Sequence, residues 1–219
     1  MSDQERRIAT KTRSLRKYEG DPQAFVPVEG APAIDLLSPF GPTIARTSVP
    51  QALTDDLNRF ADTMQRPGEF LVPPDILTAG GKASLQHLIE TAVSRYAEIH
   101  EGKKPARVHV DVAWIVCQPA ETSSPAHFHS CDVSGVLYLG LPPGIDDEAQ
   151  TARTYISGRK AGYINFIHGD RQRFSRSLVS FRPSIGVLYV FPGWLLHVAE
   201  PFLGPGERRS LSFNAIVGE

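Results

Sequence analysis

The sequence predicts a mainly β domain of jelly-roll type with helices flanking its N-terminal side, and three observations carry that expectation. From residue 107 onward apolar residues recur with a period of two, in short runs separated by Pro, Gly and charged turns. No helical pattern of crossover length lies between those runs, so the strands are expected to pair antiparallel. Upstream, two segments space their apolar residues by three and four, the signature of a helix with one buried face. Helices packed on a sandwich or barrel of short strands fit this order better than an alternating α/β layering.

The elements follow in chain order. Residues 1–30, "MSDQERRIATKTRSLRKYEGDPQAFVPVEG", carry scattered charges and little apolar periodicity, as a flexible or surface-draped arm does. Residues 31–219 are expected to form a single domain. A first helix is expected over about 51–66, where Leu53, Leu57, Phe60, Ala61 and Met64 make one apolar stripe and "RPG" stops the pattern. A second is expected over about 84–100, with Leu85, Leu88, Ile89, Ala92, Val93 and Tyr96 on its buried face and Ser84 as N-cap. "RVHVDVAWIVCQ" then reads as a long strand with Val108, Val110, Val112, Trp114 and Val116 on one side. Further strands are expected at 134–141, 162–167, 178–182, 186–191 and 209–217. There is no internal repeat.

Composition bounds the function. A chain of 219 residues with 41% hydrophobic and 21% charged residues can bury one full core. A formal charge of -1 gives no drive toward a phosphate backbone or an anionic membrane, so neither nucleic acid nor membrane is expected as a partner. Cys117 and Cys131 are the only cysteines, and neither a charged-then-apolar leader nor an apolar run of spanning length is present. The expected compartment is therefore reducing and cytoplasmic.

The stretch "SPAHFHSCDVSGVLYL", residues 124–139, concentrates the chemistry. On an extended chain residues i and i+2 point the same way, roughly 6 to 7 Å apart, so His127 and His129 can aim two imidazoles at one metal. Taken alone, such a pair is as readily a solvated surface feature. His197 supplies a third imidazole after "GVLYVFPGWLL", where a strand turns at Pro192 and Gly193 and resumes. Beyond it, "RRSLSFNAIV" puts Arg208, Ser210, Ser212 and Asn214 on one face of a strand. A charged side chain aimed into a barrel needs a partner, and the carboxylate of a bound ligand would provide one.

These residues resemble the iron- and 2-oxoglutarate-dependent oxygenases, whose core is a double-stranded β-helix, or jelly roll. The similarity is greatest to a bacterial and phage group with the order HxH, SGVYYL, an FP turn, H and RxSxSFN. Here the counterparts are His127 to His129, "SGVLYL" at 134–139, "FPGWLLH" at 191–197 and "RRSLSFN" at 208–214, with "SPFGPTIARTSVPQALTDDL" extending the likeness upstream. The resemblance implies Fe(II) as metal, 2-oxoglutarate as cosubstrate, O2 as oxidant, and hydroxylation of a substrate with release of succinate and CO2. It also implies that His127, His129 and His197 are metal ligands. Arg208 would pair with the far carboxylate of 2-oxoglutarate, with Ser210 beside it and Tyr138 and Ser134 on the opposite wall.

One departure stands out. The superfamily usually supplies HxD or HxE, whereas the second position here is His129, and Asp132 follows three residues later. Ligation by His129 gives a three-histidine site; a bend in "SCD" would bring in Asp132 as the alternative third ligand. No catalytic residue is expected beyond the metal centre. Trp114 and Trp194 read as core or pocket-rim aromatics, "FIHGDRQRF" as a polar turn, and Cys131 as a small buried thiol. Two other classes remain to be weighed: a cupin-like metal-dependent dioxygenase or isomerase that uses no 2-oxoglutarate, and a non-catalytic jelly-roll module that binds a metal or ligand. Arg208 and the RxS pattern argue against the former. The substrate, a small molecule or a peptide, is not specified by fold or metal site, and the sequence is compatible with a homodimer.

Overall fold

Strands dominate because β-branched and aromatic residues alternate with small or polar ones over most of the chain after residue 107. The computed structural model describes residues 35–37, 41–151, 160–169 and 177–218, so the arm read over residues 1–30 lies outside the described residues. In order these form β1 (Asp35–Leu37), β2 (Ile44–Ser48), α1 (Gln51–Asp62), β3 (Gly68–Leu71), α2 (Pro74–Thr78), α3 (Leu85–Glu101), β4 (Arg107–Pro119), β5 (Ser124–His127), β6 (Val133–Gly140), α4 (Ile145–Thr151), β7 (Ile164–Ile167), β8 (Leu178–Phe181), β9 (Val187–Pro192), β10 (Leu196–Ala199) and β11 (Glu207–Gly218). Two antiparallel sheets result, ordered β1-β2-β9-β6-β11-β4-β3 and β5-β10-β7-β8. This is the jelly-roll arrangement. Among the described residues no helix is long and apolar enough to cross a membrane.

The seven-stranded sheet is buried on both faces, and the two faces do different jobs. Its outer face packs under α1 and α3: Leu57, Ala61, Leu85, Ile89 and Val93 join Ala113, Ile115, Leu137, Leu211 and Phe213 in one core. Ser84 caps α3 by accepting the His87 N–H, and Gly102 ends it in the left-handed conformation. The Tyr96 hydroxyl donates to the Thr43 carbonyl at 2.9 Å, tying α3 to the start of β2. The inner face meets the four-stranded sheet through Ile44, Tyr138, Phe166, Tyr189, Phe191 and Leu195.

The facing of the long strand differs from the expectation. Val110 is buried in the helix-side core, while Trp114 and Val116 line the interior. The ladder explains this: Asn214 pairs with Val112 but Ala215 with Val110, so β4 carries one extra residue, Asp111, at a bulge. An inserted residue reverses the alternation beyond it, and the run of valines hid the switch. The short strands β1, β2, β3 and β5 and the helices α2 and α4 also went unpredicted; each is too brief to show a period.

Gly135 marks the tightest packing in the sheet. A Cβ there would fall 2.4 Å from the Phe213 ring and 2.7 Å from the Tyr189 carbonyl oxygen. Gly135→Ala is therefore expected to lower the unfolding free energy by about 1–3 kcal/mol or more, read as a lower denaturant midpoint.

Candidate metal centre

Strand pairing assembles the three histidines. β10 lies antiparallel to β5 with His197 directly opposite His127, and their ring centroids are 4.3 Å apart. His129 lies just past β5, where its N–H donates to the Gly193 carbonyl at 2.8 Å and the Gly193 N–H donates to the Asp132 carbonyl at 3.0 Å. That clasp requires glycine: a Cβ on Gly193 would sit 2.2 Å from the Cys131 carbonyl oxygen. The His129 ring is thereby held 5.1 Å from that of His127 and 5.2 Å from that of His197. One donor nitrogen from each imidazole lies within 4.8 Å of the others.

Backbone contacts fix the state of two of these rings. His127 Nδ1 is 2.7 Å from the Pro125 carbonyl oxygen, and His197 Nδ1 is 2.9 Å from that of Leu195. A carbonyl only accepts, so Nδ1 is the donor in each ring and Nε2 is the nitrogen left to face a metal. Burial, and to a lesser degree the neighbouring His127 and His129, hold the His197 pKa down at about 4 despite an opposing bond to Leu195. Burial also lowers that of His129, with His127 adding to the effect. Both are neutral at physiological pH, the form that ligates a metal. Three imidazole nitrogens this close together would suit Fe(II), and the donor set fits the metal implied by the resemblance.

The triad opens into a cavity of about 250 Å³, which Ser134, Tyr138, Arg208 and Ser210 also line. Arg208 reaches it because β11 alternates: Arg208, Ser210 and Ser212 face inward, while Arg209 turns to the helices and pairs with Asp62 at 2.9 Å. Arg208 is 3% exposed, and its guanidinium donates to the Gly162 carbonyl at 2.9 Å, to the Glu200 carbonyl at 3.2 Å and to Gln118 Oε1. Tyr138 stands opposite Ser210 in the ladder. Burial pushes its pKa up to about 12, with Arg208 opposing, so the phenol keeps its proton at physiological pH. Ser134 differs: its hydroxyl donates to the Phe213 carbonyl at 2.9 Å, which commits its only proton to the sheet.

Asp132 points elsewhere. Its Oδ2 accepts the Val217 N–H at 2.8 Å, and the residue lines a separate cavity with Tyr96, His168 and Trp194. The His168 ring lies 5.6 Å from that of Trp194 and tilted to it, while Asp170 and Arg171 of the same turn lie outside the described residues. Cys131 is half-buried, its Sγ 3.3 Å from the Val133 carbonyl oxygen. Trp114 joins the triad's cavity with its ring 5.7 Å from His129, and Trp194 is exposed. Sequence reasoning missed Gln118, whose side chain joins Arg208 to the Thr122 carbonyl. It sits on the same strand face as Trp114 and Val116, but only the β4–β11 register reveals that it meets Arg208.

With this geometry in place, comparison with known proteins is informative. Residues 112–214 match a family model described as "Putative 2OG-Fe(II) oxygenase". Over that stretch, a little under half of the chain, the sequence is similar to the 2OG-Fe(II) oxygenases. The matched stretch contains all three histidines, Tyr138 and Arg208. Among solved structures, apo HygX from Streptomyces hygroscopicus aligns at 8% identity and a TM-score of 0.51, covering 78% of this chain and 81% of that one. The truncated viral collagen prolyl hydroxylase of Paramecium Bursaria Chlorella virus-1 aligns at 12% identity and a TM-score of 0.50, covering 90% of this chain and 99% of its own. At such identities the likeness is one of fold. No curated protein matches this chain in sequence.

The neutral, buried state of His197 has a consequence for stability. Its pKa in the folded chain, about 4, lies below the ordinary 6.5, so the unfolded chain takes up a proton that the folded chain refuses. The metal-free protein is expected to hold its full stability above pH 6.5 and to lose about 3 kcal/mol as the pH falls to about 4. Denaturation across that window should show a shallower fall in His197→Gln, in which the titrating group is gone.

Proposed function

We propose that this oxygenase holds Fe(II) through His127, His129 and His197, binds 2-oxoglutarate through Arg208, Tyr138 and Ser210, and hydroxylates a small-molecule or peptide substrate. The observation that carries the reading is one cavity lined both by three converging imidazoles and by a buried arginine. When bound, the metal supplies the oxygen chemistry that couples conversion of 2-oxoglutarate to succinate and CO2 with hydroxylation of a C–H bond. Around it the side chains bind, orient and exclude water. The planar fork of Arg208 matches a carboxylate, and its fixed position on β11 sets the depth to which the cosubstrate enters. The Tyr138 hydroxyl has no hydrogen-bond partner among the described residues, so its proton is available to the same carboxylate. The buried Phe191 and the half-buried Trp114 form apolar walls that keep bulk water from the centre.

Ser134 serves the sheet rather than the cosubstrate, because its proton is already used. His129 is favoured over Asp132 as the third ligand, because the Asp132 carboxylate is engaged by the end of β11. Arg208 and Tyr138 in the cavity give a dicarboxylate somewhere to bind, which a cupin-like enzyme without an oxo acid would not need. The two free cysteines fit a reducing compartment, and we place the enzyme in the cytoplasm.

Two sets of variants test the assignment. His129→Ala is expected to abolish tight iron binding, measured as metal per chain, while Asp132→Ala retains it; the reverse pattern would move the ligand to Asp132. Arg208→Ala is expected to weaken 2-oxoglutarate binding by about 2–5 kcal/mol in calorimetry while the iron stoichiometry holds. Undiminished affinity in that variant would remove Arg208 from the cosubstrate site.

A further inference from the structure

The cavity has two charged ends. Among the described residues that line it, Arg208 is the only arginine or lysine and Glu69 the only carboxylate, beside the three histidines proposed as ligands. Arg208 lies on β11, in the middle of the seven-stranded sheet, and Glu69 on β3, the strand at its edge. The ladders place Glu69 opposite Val116, Val116 opposite Ser210 and Ser210 opposite Tyr138, so Glu69 ends a row that begins at the proposed cosubstrate wall. With strands about 4.8 Å apart, its backbone stands about 10 Å from that of Ser210. A 2-oxoglutarate seated on Arg208 therefore leaves Glu69 for a different ligand.

The surroundings of Glu69 suit a cation. Trp114 lies on the adjacent strand one diagonal step away, lines the same cavity, and is half-buried beside His129. A carboxylate next to an indole face recognises an ammonium or guanidinium group by charge on one side and by the aromatic quadrupole on the other. The Glu69 carboxylate makes no hydrogen bond or ion pair with another described residue. A charge on an edge strand also discourages strand addition. That role alone would not require the residue to line the triad's cavity.

We propose that Glu69 and Trp114 form a subsite for the cationic group of the substrate, so that the oxygenase acts on a molecule bearing an amine or guanidine. The proposal rests on the reading of this cavity as the active site. The triad would then face a carbon on the same molecule, held beside the Trp114 ring between the anchored cation and the metal.

The test uses the full chain with Trp194→Phe, which leaves Trp114 as the only tryptophan of the two in the sequence. Its emission is followed while cadaverine is added, with 1,5-pentanediol as the uncharged probe of equal length, first without metal and then with Fe(II) and 2-oxoglutarate under nitrogen. Cadaverine is expected to change the emission saturably, and pentanediol at the same concentrations is not. Glu69→Gln in this background should weaken cadaverine by about tenfold or more, the scale of one charge-assisted contact. An equal response to pentanediol, no saturable response to cadaverine, or an unchanged affinity in Glu69→Gln would overturn the subsite. Succinate formation from 2-oxoglutarate and Fe(II) in air, measured in parallel, separates the two readings. Its absence with the cadaverine response intact counts against the oxygenase assignment, and its presence with no cadaverine response counts against the cation subsite alone.

Discussion

The centre depends on one pairing: β10 against β5, with His197 directly across from His127. Neither histidine can reach a shared metal unless the two strands meet in that register, because a shift of one residue would turn one of the rings to the opposite face of the sheet. The third histidine is subordinate to the same contact. His129 is held by the Gly193 carbonyl in the turn that leads into β10, so a single turn positions His129 from one side and delivers His197 from the other. The cost is a glycine at 193, where no larger residue could stand beside Cys131.

The rest of the fold fixes that pairing in space. Helices α1 and α3 cover the outer face of the large sheet and free its inner face to carry polar residues. Alternation along β11 then sends Arg208 to the cavity and Arg209 to Asp62 on the helix side, two adjacent arginines with unrelated tasks. Gln118, one strand away, braces Arg208 without bringing a counter-charge of its own. If the three imidazoles hold a divalent ion as proposed, none of them offsets its charge, and the cosubstrate would bring anionic groups to it.

Much of this was legible in the sequence because it rests on short-range periodicity. The stripe of Leu85, Ile89 and Val93 gave α3, and Ser84 gave its cap. The alternation of "RRSLSFN" separated Arg208 from Arg209. The spacing of His127 and His129 marked a shared direction, and the FP turn placed His197 at the start of a strand. What escaped depends on contacts between distant segments. The bulge at Asp111 is invisible in a run of valines, the commitment of Ser134 to Phe213 spans the β6–β11 ladder, and the engagement of Asp132 by Val217 joins a turn to the last strand. The edge position of Glu69 follows from a four-residue strand too short to announce itself.

Iron K-edge X-ray absorption of the Fe(II)-loaded chain, without and then with 2-oxoglutarate under nitrogen, examines the central claim most directly. The account predicts multiple-scattering features of three imidazole rings in the first sample. All three should persist when the cosubstrate adds its oxygen donors. Two imidazoles with a carboxylate oxygen from the protein, or no iron held at all, would contradict a three-histidine centre built on the pairing of β5 with β10.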